Sequence, residues 1–169
     1  MQQEITPQQV GTRYGLTVGI GSILLHLILF VTHLYVDYPY IAYLDNIIML
    51  IGLVLACNAF KKGYYNTMTF KQGFFLGVWS ILISSVITAI FIFIYIKFID
   101  TSLLEALRNE EMRDIASQKL TDEQFKKLMD NMDIFMSAWF IAGVRLVRGL
   151  GIGVILAAVV ATLLKKDPS

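Results

Sequence analysis

Four apolar runs, each long enough to cross a lipid bilayer, limit what this chain can fold into more than any other feature does. An α-helix rises about 1.5 Å per residue, so about 20 residues cross a hydrocarbon core of about 30 Å. The runs lie at about 14–36, 41–60, 70–99 and 143–164 of the 169 residues. The expected fold is an all-α membrane protein, with four transmembrane helices and an extramembrane helical hairpin at about 100–133, between spans 3 and 4. The whole chain then forms a single integral membrane domain. Apolar and aromatic residues make up 56% of it and the mean hydropathy is +0.64, well above a soluble domain. The net charge of +1 gives no field that would draw nucleic acid, which is excluded as a partner. The polar stretch before the first run has one arginine, Arg13, and no convincing cleavage site follows that run, so it reads as an uncleaved span.

The last span, Gly143 to Lys166, sets the strongest internal constraint. It carries Arg145 and Arg148 at one edge, followed by small residues every four positions: Gly149, Gly153, Ala157 and Ala161. Two charges on one helical face need partners, and a glycine ladder needs a close neighbour. Asp45 enters span 2 at a matching depth, and Asp37 and Asp100 lie at the rim. The spacing predicts that Arg148 pairs with Asp45 and that Arg145 takes a rim acid such as Asp100. The alternative is that the arginines bind anionic lipid headgroups or an anionic solute. Gly15/Gly19, Gly73/Gly77 and Gly149/Gly153 are expected at helix–helix contacts inside the protein, or else on a dimer face. For Gly149 and Gly153 the expected neighbour is span 1 or span 3.

In span 1, Gly15, Gly19, Ser22, His26 and His33 mark the protein-facing side. His26 falls near mid-span, where an ionisable side chain is a functional candidate by default. It could relay protons or ligate a metal or haem. The plainer reading is a neutral imidazole bonded to Ser80, Ser84 or Thr88 of span 3. His26 and His33 are the only histidines and share one helix, so haem would need a second chain. His26, His33, Asp45, Arg145 and Arg148 together form the candidate intramembrane polar site. The single cysteine, Cys57, cannot make an internal disulfide. Without a nucleophile–base pair, a phosphate loop or metal-ligand spacing, the chain is expected to have no enzymatic activity, cofactor or metal.

Outside the spans, residues 100–133 hold nine acids and five basic residues. Ser102 with Glu105 and Thr121 with Gln124 read as capping boxes that open two helices. Phe125, Leu128, Met129, Met132, Phe135, Met136 and Trp139 recur at helical spacing. That stripe is expected to form the hairpin's own core, against Leu103, Leu104, Leu107 and Ile115, or in part to lie on the membrane surface. No Pro or Gly interrupts the chain before Gly143, so one long helix is expected from about Asp122 to Leu164. Arg13, the Lys61–Lys71 loop and the Lys165–Lys166 tail fall on one side of four spans. The basic bias puts that side, with both termini, in the cytoplasm and the hairpin outside.

The segment KKGYYNTMTFKQGFFLGVWSILISSVITAIFIFIYIKFID, together with the YGLTVGIGS opening and the acidic hairpin before a glycine-rich last span, carries a resemblance. A basic loop, then F-x-x-G-F, then a long span ending in Y-x-K-F-I-D, resembles a family of small four-span bacterial membrane proteins catalogued as a domain of unknown function. The resemblance covers nearly the whole chain. It implies an integral protein of the bacterial inner membrane and carries over no catalytic residue.

The function expected from the sequence is a non-enzymatic membrane protein with a structural or protein-interaction role. Its partners would be the lipid bilayer and a membrane protein or a second copy of the chain. The alternative is a small transporter or channel subunit with a polar path past His26, Arg145 and Arg148. A wet cavity reaching His26 from one side would favour transport, and a tightly packed interior the first reading.

Overall fold

The computed structural model describes residues 5–34, 38–117 and 121–166. Helix α1, Pro7–Val31, begins at a reciprocal cap. The Thr6 side chain accepts the Gln9 N–H at 3.3 Å, and Gln9 Oε1 accepts the Thr6 N–H at 3.1 Å. This cap starts the helix seven residues ahead of the apolar run expected at 14–36. A 3₁₀ turn, Pro39–Tyr43, leads into α2, Leu44–Gly63. Tyr65 and Asn66 then take positive φ of 46° and 57° and reverse the chain. The Thr69–Gln72 box opens α3, Phe70–Ile94, which runs on through a π-helical turn to Ile99. Two shorter helices follow, α4, Thr101–Ser117, and α5, Asp122–Phe135, and then α6, Ala138–Leu164.

Four of these, α1, α2, α3 with its π turn, and α6, are long and apolar enough to cross a membrane. The α4–α5 hairpin lies between the third and the fourth. The fold is therefore an all-α membrane protein of four spans, as the apolar runs require.

Helix α3 is the spine of the bundle. It packs along α1 on one side and α6 on the other, the two most extensive contacts among the described residues. Helix α2 closes the ring by touching α1 and α6. The α1–α3 contact is parallel and stepped by four residues: Gly11 lies against Leu76, Gly15 against Ser80 and Gly19 against Ser84. A Cβ on Gly15 would sit 2.7 Å from the Ser80 carbonyl oxygen. Such closeness lets the Ser80 hydroxyl donate to the Gly11 carbonyl at 3.0 Å. The α3–α6 contact is antiparallel with the same step: Gly73 meets Ala161, Gly77 meets Ala157, Ile81 meets Gly153 and Ser85 meets Gly149. The neighbour of the last span's ladder is thus span 3.

At the loop end, Met68 and Lys166 exchange two backbone hydrogen bonds of 2.8 Å each, tying the α2–α3 loop to the chain's end. Above this bridge lies one apolar cluster around Leu53, Phe60, Leu76, Ile81 and Val160. A second, around Phe30, Ile92, Tyr95 and Ile96, sits at the hairpin end, with Leu104, Ala138 and Ile141 packed on it. Outward-facing residues such as Ile20, Leu24, Ile51, Leu55, Ile155 and Leu163 are exposed, as a lipid-facing belt should be.

Three details of the hairpin depart from the sequence reading. The expected helix from Asp122 to Leu164 is two helices, broken at Met136–Ser137. Ser137 Oγ accepts the Phe140 N–H at 3.2 Å and donates to the Ile134 carbonyl at 2.7 Å, so one serine caps both ends. The first hairpin helix opens on Asp100, whose carboxylate accepts the Ser102 N–H at 3.1 Å, in place of the expected Ser102–Glu105 box. The Thr121–Gln124 box is present. Of the apolar stripe, Met132 is buried, while Phe125, Leu128, Phe135 and Trp139 are exposed. Trp139 does rest on Phe93, ring centres 4.1 Å apart. The side chains of Leu103, Leu107 and Met129 lie outside the described residues.

Candidate functional site

Three elements converge at the hairpin end of the bundle. The first turn of α2 supplies Asp45, just after Tyr43. The C-terminal half of α1 supplies Ser22 and His26, and the third and fourth turns of α6 supply Arg145 and Arg148. Arg145 Nη2 donates to Asp45 Oδ2, with the two side chains 15% and 6% exposed. The pair is therefore largely desolvated, where losing one partner strands the other charge. Asp45 Oδ1 is buried without a hydrogen-bond partner among the described residues.

This corrects the pairing read from depth. Arg145, one turn nearer the hairpin, takes Asp45. Arg148 has no carboxylate partner among the described residues. Its guanidinium lies over the Tyr43 ring, 4.6 Å from the centroid, a cation–π contact. Asp100 serves as the α4 cap and not as a rim partner for Arg145. Asp37, the other rim acid considered, lies outside the described residues.

His26 is 1% exposed. Its Nδ1 donates to the Ser22 carbonyl at 2.7 Å on its own helix, and not to a hydroxyl of span 3. A carbonyl oxygen only accepts, so Nδ1 carries the proton of this bond. Of the expected partners Ser80, Ser84 and Thr88, the first two instead donate to the Gly11 and Ile81 carbonyls. His33 is not part of the site: it is exposed beyond the end of α1, with φ of 57°.

A cavity of about 170 Å³ opens beside these groups. His26, Arg145 and Arg148 form its polar side. Phe30, Ile92, Ile96, Ile141 and Val144 form apolar walls, closed towards the hairpin by Phe135 and Phe140. Past the ion pair, Asp45, Ser22, Ser84, Ser85 and Thr88 surround a void of only about 10 Å³, room for about one water molecule. Tyr43, Phe135 and Phe140 had no place in the sequence reading of this site. A tyrosine two residues before Asp45 was a usable signal. The two phenylalanines reach the cavity only because the chain turns at Ser137.

Fold and site together define a small four-span helical membrane protein with a desolvated Asp–Arg pair and a polar-ended cavity beside it. The chain belongs to the family described as "Protein of unknown function (DUF4199)", which it matches over residues 13–166. No curated protein and no solved structure matches it.

Proposed function

We propose that this is a non-enzymatic protein of the bacterial inner membrane that acts by associating with another membrane protein or with a second copy of itself. Both termini face the cytoplasm and the hairpin faces outward. The observation that supports this reading is the closed interior. Below the ion pair, α3 meets α1 and α6 through glycine and alanine contacts, and the space left there is about 10 Å³. Packing of this kind among the described residues leaves little room for a solute beyond the ion pair. The exposed aromatic residues at this end, Phe125 and Phe135 of the hairpin and Trp139 in the first turn of α6, offer a surface that the chain leaves largely uncovered.

A second reading, a small transporter or channel subunit, draws on the cavity beside His26, Arg145 and Arg148. It requires that the packing past Asp45 open. Crosslinking in native membranes with mass-spectrometric readout separates the two. The association reading expects crosslinks from hairpin residues such as Lys126 or Lys127 to one recurrent partner or to a second copy. If this surface yields only intrachain links, association is wrong. A tracer flux that depends on Arg145 in proteoliposomes would then support the transport reading.

A further inference from the structure

The cavity at the hairpin end joins features that together specify a ligand class. Arg145 and Arg148 bring two positive charges and Asp45 one negative charge, and Asp45 already binds Arg145. One positive charge is left over, and Arg148 carries it. Its guanidinium is fixed from one side by the Tyr43 face, which leaves its N–H edges free of any carboxylate among the described residues. The rest of the cavity surface is mostly apolar: Phe30, Ile92, Ile96, Ile141 and Val144. Three wall residues, Phe135, Phe140 and Val144, are themselves exposed, so the mouth opens sideways along the first turns of α6.

Depth narrows the class further. Arg148 lies 16 residues before Leu164, about 24 Å along the helix axis. In a hydrocarbon core of about 30 Å this puts the guanidinium just inside the boundary opposite Leu164, within reach of lipid headgroups. A free anion in water would have to leave its hydration shell to enter an apolar-walled pocket. A molecule with an anionic head and an apolar body meets both surfaces at once.

We propose that this cavity binds the anionic head of a lipid-like amphiphile. Arg148 takes the phosphate or carboxylate in a two-pronged hydrogen bond. Arg145 stays bonded to Asp45, and the apolar body of the ligand leaves past Phe140 and Val144. A cavity of about 170 Å³ accommodates a headgroup but not a whole lipid, since complete ligand sites run to about 300–1,000 Å³. This inference goes beyond the association role and stands or falls separately from it.

The test uses the full chain in a non-ionic detergent, with retained ligand counted by native mass spectrometry. Phosphatidylglycerol, oleate, phosphatidylcholine and inorganic phosphate are offered in turn. The expected result is one phosphatidylglycerol or one oleate per chain, retained about tenfold over phosphatidylcholine. The first identifies a phosphodiester head and the second a carboxylate. Arg148→Gln should lower retention about tenfold. Val144→Trp, which keeps every charge and fills the half-exposed mouth, should lower it as well. Equal retention of phosphatidylcholine, binding of inorganic phosphate alone, or unchanged retention in either variant would overturn the proposal. Loss in Arg148→Gln alone would mean a charged surface and not a cavity. Thermal melting of each variant separates loss of the site from loss of the fold, and Val144→Trp keeps the test decisive if Arg148→Gln does not fold.

Discussion

Asp45 is the residue on which the hairpin end depends. It is 4% exposed and bonded to Arg145 across two helices. Asp45→Ala should cost about 3–5 kcal/mol, because it leaves the Arg145 charge desolvated and alone. Replacing the pair together, Asp45→Leu with Arg145→Met, should cost far less, since apolar side chains remove the desolvation along with the attraction. Thermal unfolding in detergent measures both, and a double variant no more stable than Asp45→Ala would sink this account of the pair. The sequence made the set Asp45, Arg145 and Arg148 legible, because acids and bases at one membrane depth must meet. It did not distinguish the two arginines. They are three residues apart on one face, and which of them reaches Asp45 depends on the rotation and tilt of α6 against α2. His26 shows the same limit: its depth could be read, whereas its Ser22 partner follows from backbone geometry one turn away.

At the scale of elements, the glycines separate into two kinds. Gly153 faces Ile81 at the α3–α6 contact, whereas Gly151 has nothing within 4 Å of where a Cβ would be. Gly153→Leu should force α3 and α6 apart and destabilise the bundle by about 1–3 kcal/mol. Gly151→Ala should be neutral or stabilising by about 0.4–1 kcal/mol, since it restricts the unfolded chain and clashes with nothing. Equilibrium unfolding of the two variants side by side gives the contrast, and equal losses would mean that the ladder is not the contact. This distinction was readable in the four-residue period of Gly149, Gly153, Ala157 and Ala161, because only one face of a helix repeats that way. The break between α5 and α6 is not legible in the sequence, because no Gly or Pro marks it and the stop is made by Ser137 within an apolar run. Ser137→Ala should cost about 0.5–2 kcal/mol. In hydrogen exchange, the amide of Phe140 should lose protection before those further along α6.

For the molecule as a whole, the bundle gathers basic residues at one end whatever its orientation. The Met68–Lys166 backbone bridge fixes the Lys61–Lys71 loop beside Lys165 and Lys166. Gly11 against Leu76 brings the first turns of α1, and with them Arg13, to that same end of α3. The opposite end bears the α4–α5 hairpin, whose acids carry little weight in setting topology and whose five basic residues are spread over 34 positions. The compact basic end should therefore be cytoplasmic. Single cysteines decide the matter cleanly, because the one native thiol, Cys57, is 1% exposed within a span and contributes little background. An impermeant maleimide added to intact cells should label Glu111→Cys in α4 and leave Asn66→Cys in the α2–α3 loop unlabelled until the membrane is broken. Both native side chains are exposed, so neither result can be ascribed to burial. Labelling of Asn66→Cys alone in intact cells would reverse the orientation and place the cavity beside Arg148 in the cytoplasmic leaflet, where anionic lipid is drawn to basic residues by the surface potential.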